Sequence, residues 1–221
     1  MGGIITAIIN FVTAAKNWKY MGTDIFLYAE WRHNEPWQFI GEMSENIVYQ
    51  YDPEHENPYH PKDLYNVRNY NLFAILADVR NDVGYECIAP RRGIPNDLSP
   101  EIKSYFEVFQ SEEMGRELYP GWLTLEELVH FDWHGKRIQR YGRVDERVAH
   151  LFHSDRGFPF REWPQGIQIG YSRMPKASKY CNACWTETYA ESAGPDFMEL
   201  LDTFSRKYGV SKDIRLVFWF A

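Results

Sequence analysis

Acidic and basic side chains are spaced along this 221-residue chain in patterns that suit the binding or chemistry of an anion. The run from Thr23 to Trp31 reads as a β-strand. Alternation then places Asp24, Phe26, Tyr28 and Glu30 on one face and Ile25, Leu27, Ala29 and Trp31 on the other. Two acids flanking two aromatic rings can line a cleft, and either acid can act as a general base. Glu187, in Trp-Thr-Glu-Thr, is the third candidate base. Cations stand opposite these acids in type. Arg68 and Asn69 open a helical stretch, Arg80 borders its apolar stripe, and Arg92 precedes a glycine in Arg-Gly-Ile-Pro-Asn-Asp97. A guanidinium is a planar fork matched to phosphate or carboxylate, and a glycine beside it leaves backbone N–H groups accessible. Trp185 offers a stacking face, as do Trp37, Tyr49, Tyr51, Tyr59, Tyr119, Trp163 and Tyr180, which sit in polar surroundings.

Metal chemistry has fewer supports. Carboxylates close in space would favour magnesium. The histidines fall into the pairs His55/His60, His130/His134 and His150/His153. His130 and His134 share a helix face but lack the glutamate of a zinc protease motif, and Cys181-Asn-Ala-Cys184 has the spacing of half a zinc knuckle. No P-loop, nucleophile elbow, dinucleotide fingerprint or kinase signature occurs. The expectation is therefore no required cofactor, with magnesium or zinc as alternatives.

The elements that must position these residues follow from periodicity. A turn at His33-Asn-Glu-Pro36 and a second strand, Trp37 to Gly41, complete an opening hairpin, and residues 44 to 64 read as a long polar loop. Leu72, Phe73, Leu76, Val79 and Val83 predict an amphipathic helix from about 66 to 81, stopped by Gly84. Ser99-Pro100-Glu101 starts a helix to about Gln110, and Thr124-x-x-Glu127 starts another through Trp133. Gly166 to Tyr171 and Trp185 to Tyr189 read as two paired strands. Pro195 opens a helix closed by Gly209, and Ile214 to Phe220 reads as a strand covered on both faces. The fold class is α+β: one domain over residues 21–221, a mixed or antiparallel sheet with an N-terminal hairpin and a buried C-terminal strand, and helices packed on it.

Composition bounds the partners. With 44% hydrophobic and 25% charged residues the chain can build a core and a soluble surface, and a formal charge of −7 disfavours wrapping an extended nucleic acid. The basic run Lys136, Arg137, Arg140, Arg143 and Arg147 reads as a solvated face. Three cysteines, an odd number, fit a reducing, cytoplasmic compartment. Residues 1–20 read as an apolar extension or accessory helix, too short to span a bilayer, with Met21 as the alternative start and a signal peptide as the competing interpretation.

Several motifs in fixed order carry a resemblance: Met21-Gly-Thr-Asp-Ile25, Arg68-Asn-Tyr-Asn-Leu-Phe73, Arg92-Gly-Ile-Pro-Asn-Asp97, Trp122-Leu-Thr-Leu125, Trp185-Thr-Glu-Thr188 and Asp213-Ile-Arg-Leu-Val-Phe-Trp-Phe220. From Met21 onward the chain resembles a family of uncharacterised bacteriophage and bacterial proteins. Members commonly carry a histidine where this chain has Phe26, and a His-Ser element where it has Tyr119-Pro-Gly121. The resemblance implies a phage or prophage origin and a pocket retained without those histidines. Together these readings lead to a binding protein for a small anionic, nucleotide-like ligand. It would sequester that ligand from host physiology or defence, with Arg68, Arg80 and Arg92 on phosphate and Asp24, Glu30 and Asp97 positioning the arginines or a ribose. The alternatives are a hydrolase or transferase using Asp24, Glu30 or Glu187 as base, and an inhibitor that binds a host protein directly; self-association is compatible with each.

Overall fold

The structure is a computed structural model that describes residues 23–33, 36–51, 54, 57–110, 118–172 and 179–221. The expected leader, the alternative start at Met21, the centre of the His33–Pro36 turn and His55 lie outside the described residues. The fold is α+β, and the chain divides into two compact units. Unit 1 comprises the described residues up to Arg68, then Arg91–Leu125 and Ser211–Ala221; unit 2 comprises Asn69–Pro90 and Glu126–Val210.

Unit 1 is built on an antiparallel sheet. Strands β1 (Ile25–Trp31), β2 (Gln38–Ile40), β5 (Tyr119–Thr124) and β8 (Ile214–Phe220) lie in the order β2-β1-β8-β5. Every residue of β8 is buried, as its continuous apolar run predicts, and it pairs with β1 on one side (Tyr28 opposite Val217) and β5 on the other (Trp122 opposite Val217). Helix α2 (Pro100–Gln110) covers one face, where Ile102, Phe106 and Phe109 pack against Tyr28, Val217 and Trp219, with Phe26 beside them. The face of β1 expected to line a cleft is therefore core along Phe26 and Tyr28, because an aromatic stripe on a strand is satisfied best by an apolar helix laid over it. Residues 44 to 64 are not one loop. Strand β3 (Met43–Glu45) pairs with β4 (Tyr59–Pro61), Ser44 opposite His60, to make a short separate ribbon.

Unit 2 holds the ribbon β6 (Arg137–Asp145) and β7 (Tyr180–Thr188), with α1 (Tyr70–Ala77), α3 (Leu125–His130, counted here from Glu126), α4 (Tyr189–Ala193) and α5 (Pro195–Tyr208). The basic run expected as a solvated face is instead the strand β6. Its alternation sends Arg140 inward and leaves Arg137, Gln139 and Tyr141 exposed. Gly166 to Tyr171 forms no strand; a single bridge joins Ser172 to Arg143. Its glycines have φ of 85° and 146°, which breaks the extended conformation. Helix α1 is shorter than its apolar stripe. Asn69 caps it, accepting from the N–H groups of Asn71 and Leu72, and Asp78 ends it in the left-handed region at φ 59°. Six of its residues, Leu72 to Ala77, are buried, so it is a core helix and not an amphipathic one. Helix α3 stops at His130, short of Trp133, whose indole N–H reaches back to the Leu128 carbonyl at 2.6 Å. No helix among the described residues is long and apolar enough to cross a membrane.

Candidate functional site

The sequence candidates in unit 1 form two separate arrangements. Asp24 and Arg68 meet as a bidentate pair, Nε to Oδ1 at 2.7 Å and Nη2 to Oδ2 at 2.8 Å, each about half exposed. Glu30 and Asp97 meet through a residue that sequence reasoning missed as a site member, Arg215. Its Nε donates to Glu30 Oε2 at 2.6 Å and its Nη1 to Asp97 Oδ1 at 2.8 Å, while the Ser99 backbone N–H donates to Glu30 Oε1 at 2.6 Å. Asp97 also accepts from the Trp37 indole at 3.0 Å. Burial raises the Asp97 carboxyl, but the hydrogen bond and charge of Arg215, aided by Trp37, overcome it and hold the group below its ordinary value.

Arginine and tryptophan alternate outward from this pair. Arg215 lies over Trp37 at 4.0 Å and Trp122 at 5.8 Å, Arg32 over Trp37 at 4.8 Å, and Arg92 over Trp122 at 4.8 Å. Arg92 thus rests on a ring face, and Glu30 is fully buried on an arginine. The signal for Arg215 was present in the sequence: a lone charge inside a run of seven β-prone residues requires a buried counter-ion.

In unit 2, Asn69 donates through its amide to the carbonyls of Ser192 and Ala193, both at 2.9 Å, and so acts as a cap and tie. Arg80 is exposed at φ 56°. Trp185 is fully buried among Phe152, Phe158 and Tyr171, so no ring face is open for stacking. Glu187 accepts from the Trp185 indole at 2.5 Å and from Ser192 Oγ at 2.8 Å, and lies 3.7 Å from Arg140. Arg140 in turn donates to the Tyr85 and Tyr171 hydroxyls. This network satisfies a charge buried in the interior of the unit.

The weak zinc set does not assemble. Cys181 and Cys184 lie on strand β7, not on a knuckle loop, and an odd separation along a strand sends two side chains to opposite faces. His130 and His134 are exposed, and among the described residues no group of three or more His, Cys, Asp or Glu is arranged to hold a metal ion.

An open cavity of about 320 Å³ lies in unit 1, where the β3–β4 ribbon faces the first turns of α2. Met43, Asn57, Tyr59, His60, Glu101 and Tyr105 are among its lining residues. None of Asp24, Glu30, Arg68, Arg92 and Asp97 is among them. The His60 ring stacks on Tyr105 with centroids 5.0 Å apart and planes 11° apart. Tyr105 is itself braced edge-on by Phe109 and Tyr28. His60 Nδ1 lies 3.0 Å from the Pro61 carbonyl oxygen. A carbonyl only accepts, so Nδ1 carries the proton and Nε2 carries the lone pair. Asn57 donates its amide to Ser104 Oγ at 2.8 Å, tying the ribbon's approach to α2. Beneath the groove Tyr28 donates to Asp63 at 2.5 Å; burial raises the Asp63 carboxyl, against the lowering effect of that hydrogen bond and of His60. Tyr59 belonged to the expected stacking aromatics, whereas His60 was legible only as half of a histidine pair. No protein-family model, curated protein or solved structure matches the chain.

Proposed function

We propose that this protein is a binding protein for a small planar ligand, and that its site is the groove between the β3–β4 ribbon and α2. The observation that carries this reading is the parallel His60–Tyr105 stack at the wall of a 320 Å³ opening. A cavity of ~150 Å³ admits a benzene ring. Twice that space, with aromatic rings beside the polar groups of Asn57, Glu101 and Ser104, suits a one- or two-ring ligand. Stacking on Tyr59 or the edge of His60 would supply affinity, and the amide and carboxylate groups would supply orientation.

The nucleotide-like character expected from the sequence is narrowed by this choice of site. The arginines meant for phosphate are placed elsewhere, Arg68 on Asp24 and Arg92 on Trp122, so the base-like half of such a ligand is the half the groove suits. The sequestering, phage-encoded role stays attached to the family resemblance. Each candidate base is committed to other groups, Asp24 to Arg68, Glu30 to Arg215, and Glu187 to Trp185 and Ser192, which favours binding over turnover.

A screen of planar fragments by ¹⁵N-resolved NMR tests the reading. Hits are expected to shift Tyr59, Asn57 and Ser104, and Tyr59→Ala should weaken them by about tenfold, the effect of one lost ring contact. Hits that all shift residues of unit 2 instead would overturn it.

A further inference from the structure

The hydrogen-bonding character of the groove can be read from which atoms are already used. His60 is a lining residue whose Nδ1 donates to Pro61, so its other ring nitrogen, Nε2, is an acceptor. The Asn57 amide nitrogen donates to Ser104, which leaves Oδ1 as the end of that side chain turned to other partners. Glu101, exposed at the mouth, is a carboxylate and accepts only. Lys62, the nearest lysine in the chain to this ribbon, is held 2.8 Å from Glu42 and is not among the lining residues. Among the described lining residues His60 Nε2, Asn57 Oδ1 and Glu101 are acceptors, the hydroxyls of Tyr59, Ser104 and Tyr105 can accept as well as donate, and there is no arginine or lysine.

The geometry points to a neutral, donor-bearing heterocycle of one or two rings as the ligand class: a ring with N–H and amino groups, recognised by His60 Nε2, Asn57 Oδ1 and Glu101, and not an anion. This inference rests on the groove being the binding site. It reverses the charge expected of the ligand while keeping its planarity. An acceptor that a bound ring covers and matches with a donor discriminates against an analogue without the donor, because the covered acceptor is then left unpaired.

Adenine, 9-methylpurine and adenosine monophosphate are the probes, titrated against the full chain by NMR at one neutral pH. Adenine is expected to shift Asn57, Tyr59 and Ser104, to bind at least about tenfold more tightly than 9-methylpurine, which has no N–H donor, and to bind no more weakly than the monophosphate. In His60→Phe, which keeps a ring but removes the acceptor nitrogen, adenine should bind at least about fivefold more weakly while 9-methylpurine stays level. Equal binding of adenine and 9-methylpurine in the groove, or tighter binding of the monophosphate there, overturns the donor preference while the groove survives. Unchanged adenine affinity in folded His60→Phe removes His60 from recognition. Silence of all three probes at millimolar concentration removes the groove reading and this inference together. Should His60→Phe fail to fold, the probe series on the native protein decides the donor preference alone.

Discussion

Glu30 and Arg215 place opposite charges where water does not reach, with side chains 0% and 4% exposed, so each is stable only because of the other. Removing one partner of such a pair leaves an uncompensated buried charge, a loss of about 3–5 kcal/mol. Glu30→Ala is expected to lose that much in urea denaturation, and the double change Glu30→Met with Arg215→Met should recover most of it, since packed apolar side chains replace a buried pair at little net loss. Asp97, on the same guanidinium, makes the pair's outer end sensitive to acid. Its folded carboxyl is held below its unfolded value, so its contribution is fully present above about pH 4 and is lost as pH falls through the lower, folded value. Asp97→Asn should flatten that acid-side loss in a pH series of melting temperatures, by a small amount because the carboxylate is mostly exposed. The buried pair also shows how far sequence reading reaches. Glu30 stood out by alternation, but its partner sits 185 residues away, and nothing local to Ile214–Phe220 says which acid its arginine will meet.

Two elements depend on a single residue for their shape. In β5, Gly121 lies opposite Phe218 of β8, and a Cβ there would come within 2.7 Å of the Phe218 ring, which lies across the glycine. Gly121→Ala should therefore cost about 1–3 kcal/mol, read by denaturant midpoint, as overpacking in a tight interior does. After α1, the loop to Tyr85 is organised by Asn81, which donates to Asp78 Oδ1 and the Tyr85 carbonyl and accepts from the Gly84 and Tyr85 N–H groups. Asn81→Ala should lose about 2 kcal/mol, with hydrogen exchange rising at Gly84 and Tyr85. These devices explain which boundaries were legible. Pro100, Pro195 and Gly209 are strong signals: α2 begins at the first, and α5 begins and ends where the other two say. The end of α1 is made by Asp78 and Asn81, turn-forming residue types whose signal is masked by Val79 and Val83 continuing the apolar spacing, so its stripe read too long. Strand β6 was missed because its inward positions include Arg140 and Gly142, which hide the period-two pattern behind a charge and a glycine.

At the scale of the whole molecule, the α+β class and the buried terminal strand were legible, because a run as apolar as Leu216-Val-Phe-Trp-Phe220 can only be sheltered. The candidate site was less so. The groove forms from residues 43 to 46, 57 to 61 and 100 to 108, and only the fold brings a polar ribbon onto a helix whose opposite face is core. Strand β8 has partners on both sides, and its amides should exchange more slowly than those of β2 at the sheet edge. That position also orders events during synthesis. Strands β1 and β5 are hydrogen-bonded to β8 and not to each other, so the ribosome has delivered every other strand of the sheet, and all of unit 2, before the one that joins them exists. Until Phe220 has emerged, the nascent chain must carry β1 and the inner face of α2 without their shared partner, which makes them the segments a chaperone would be expected to hold.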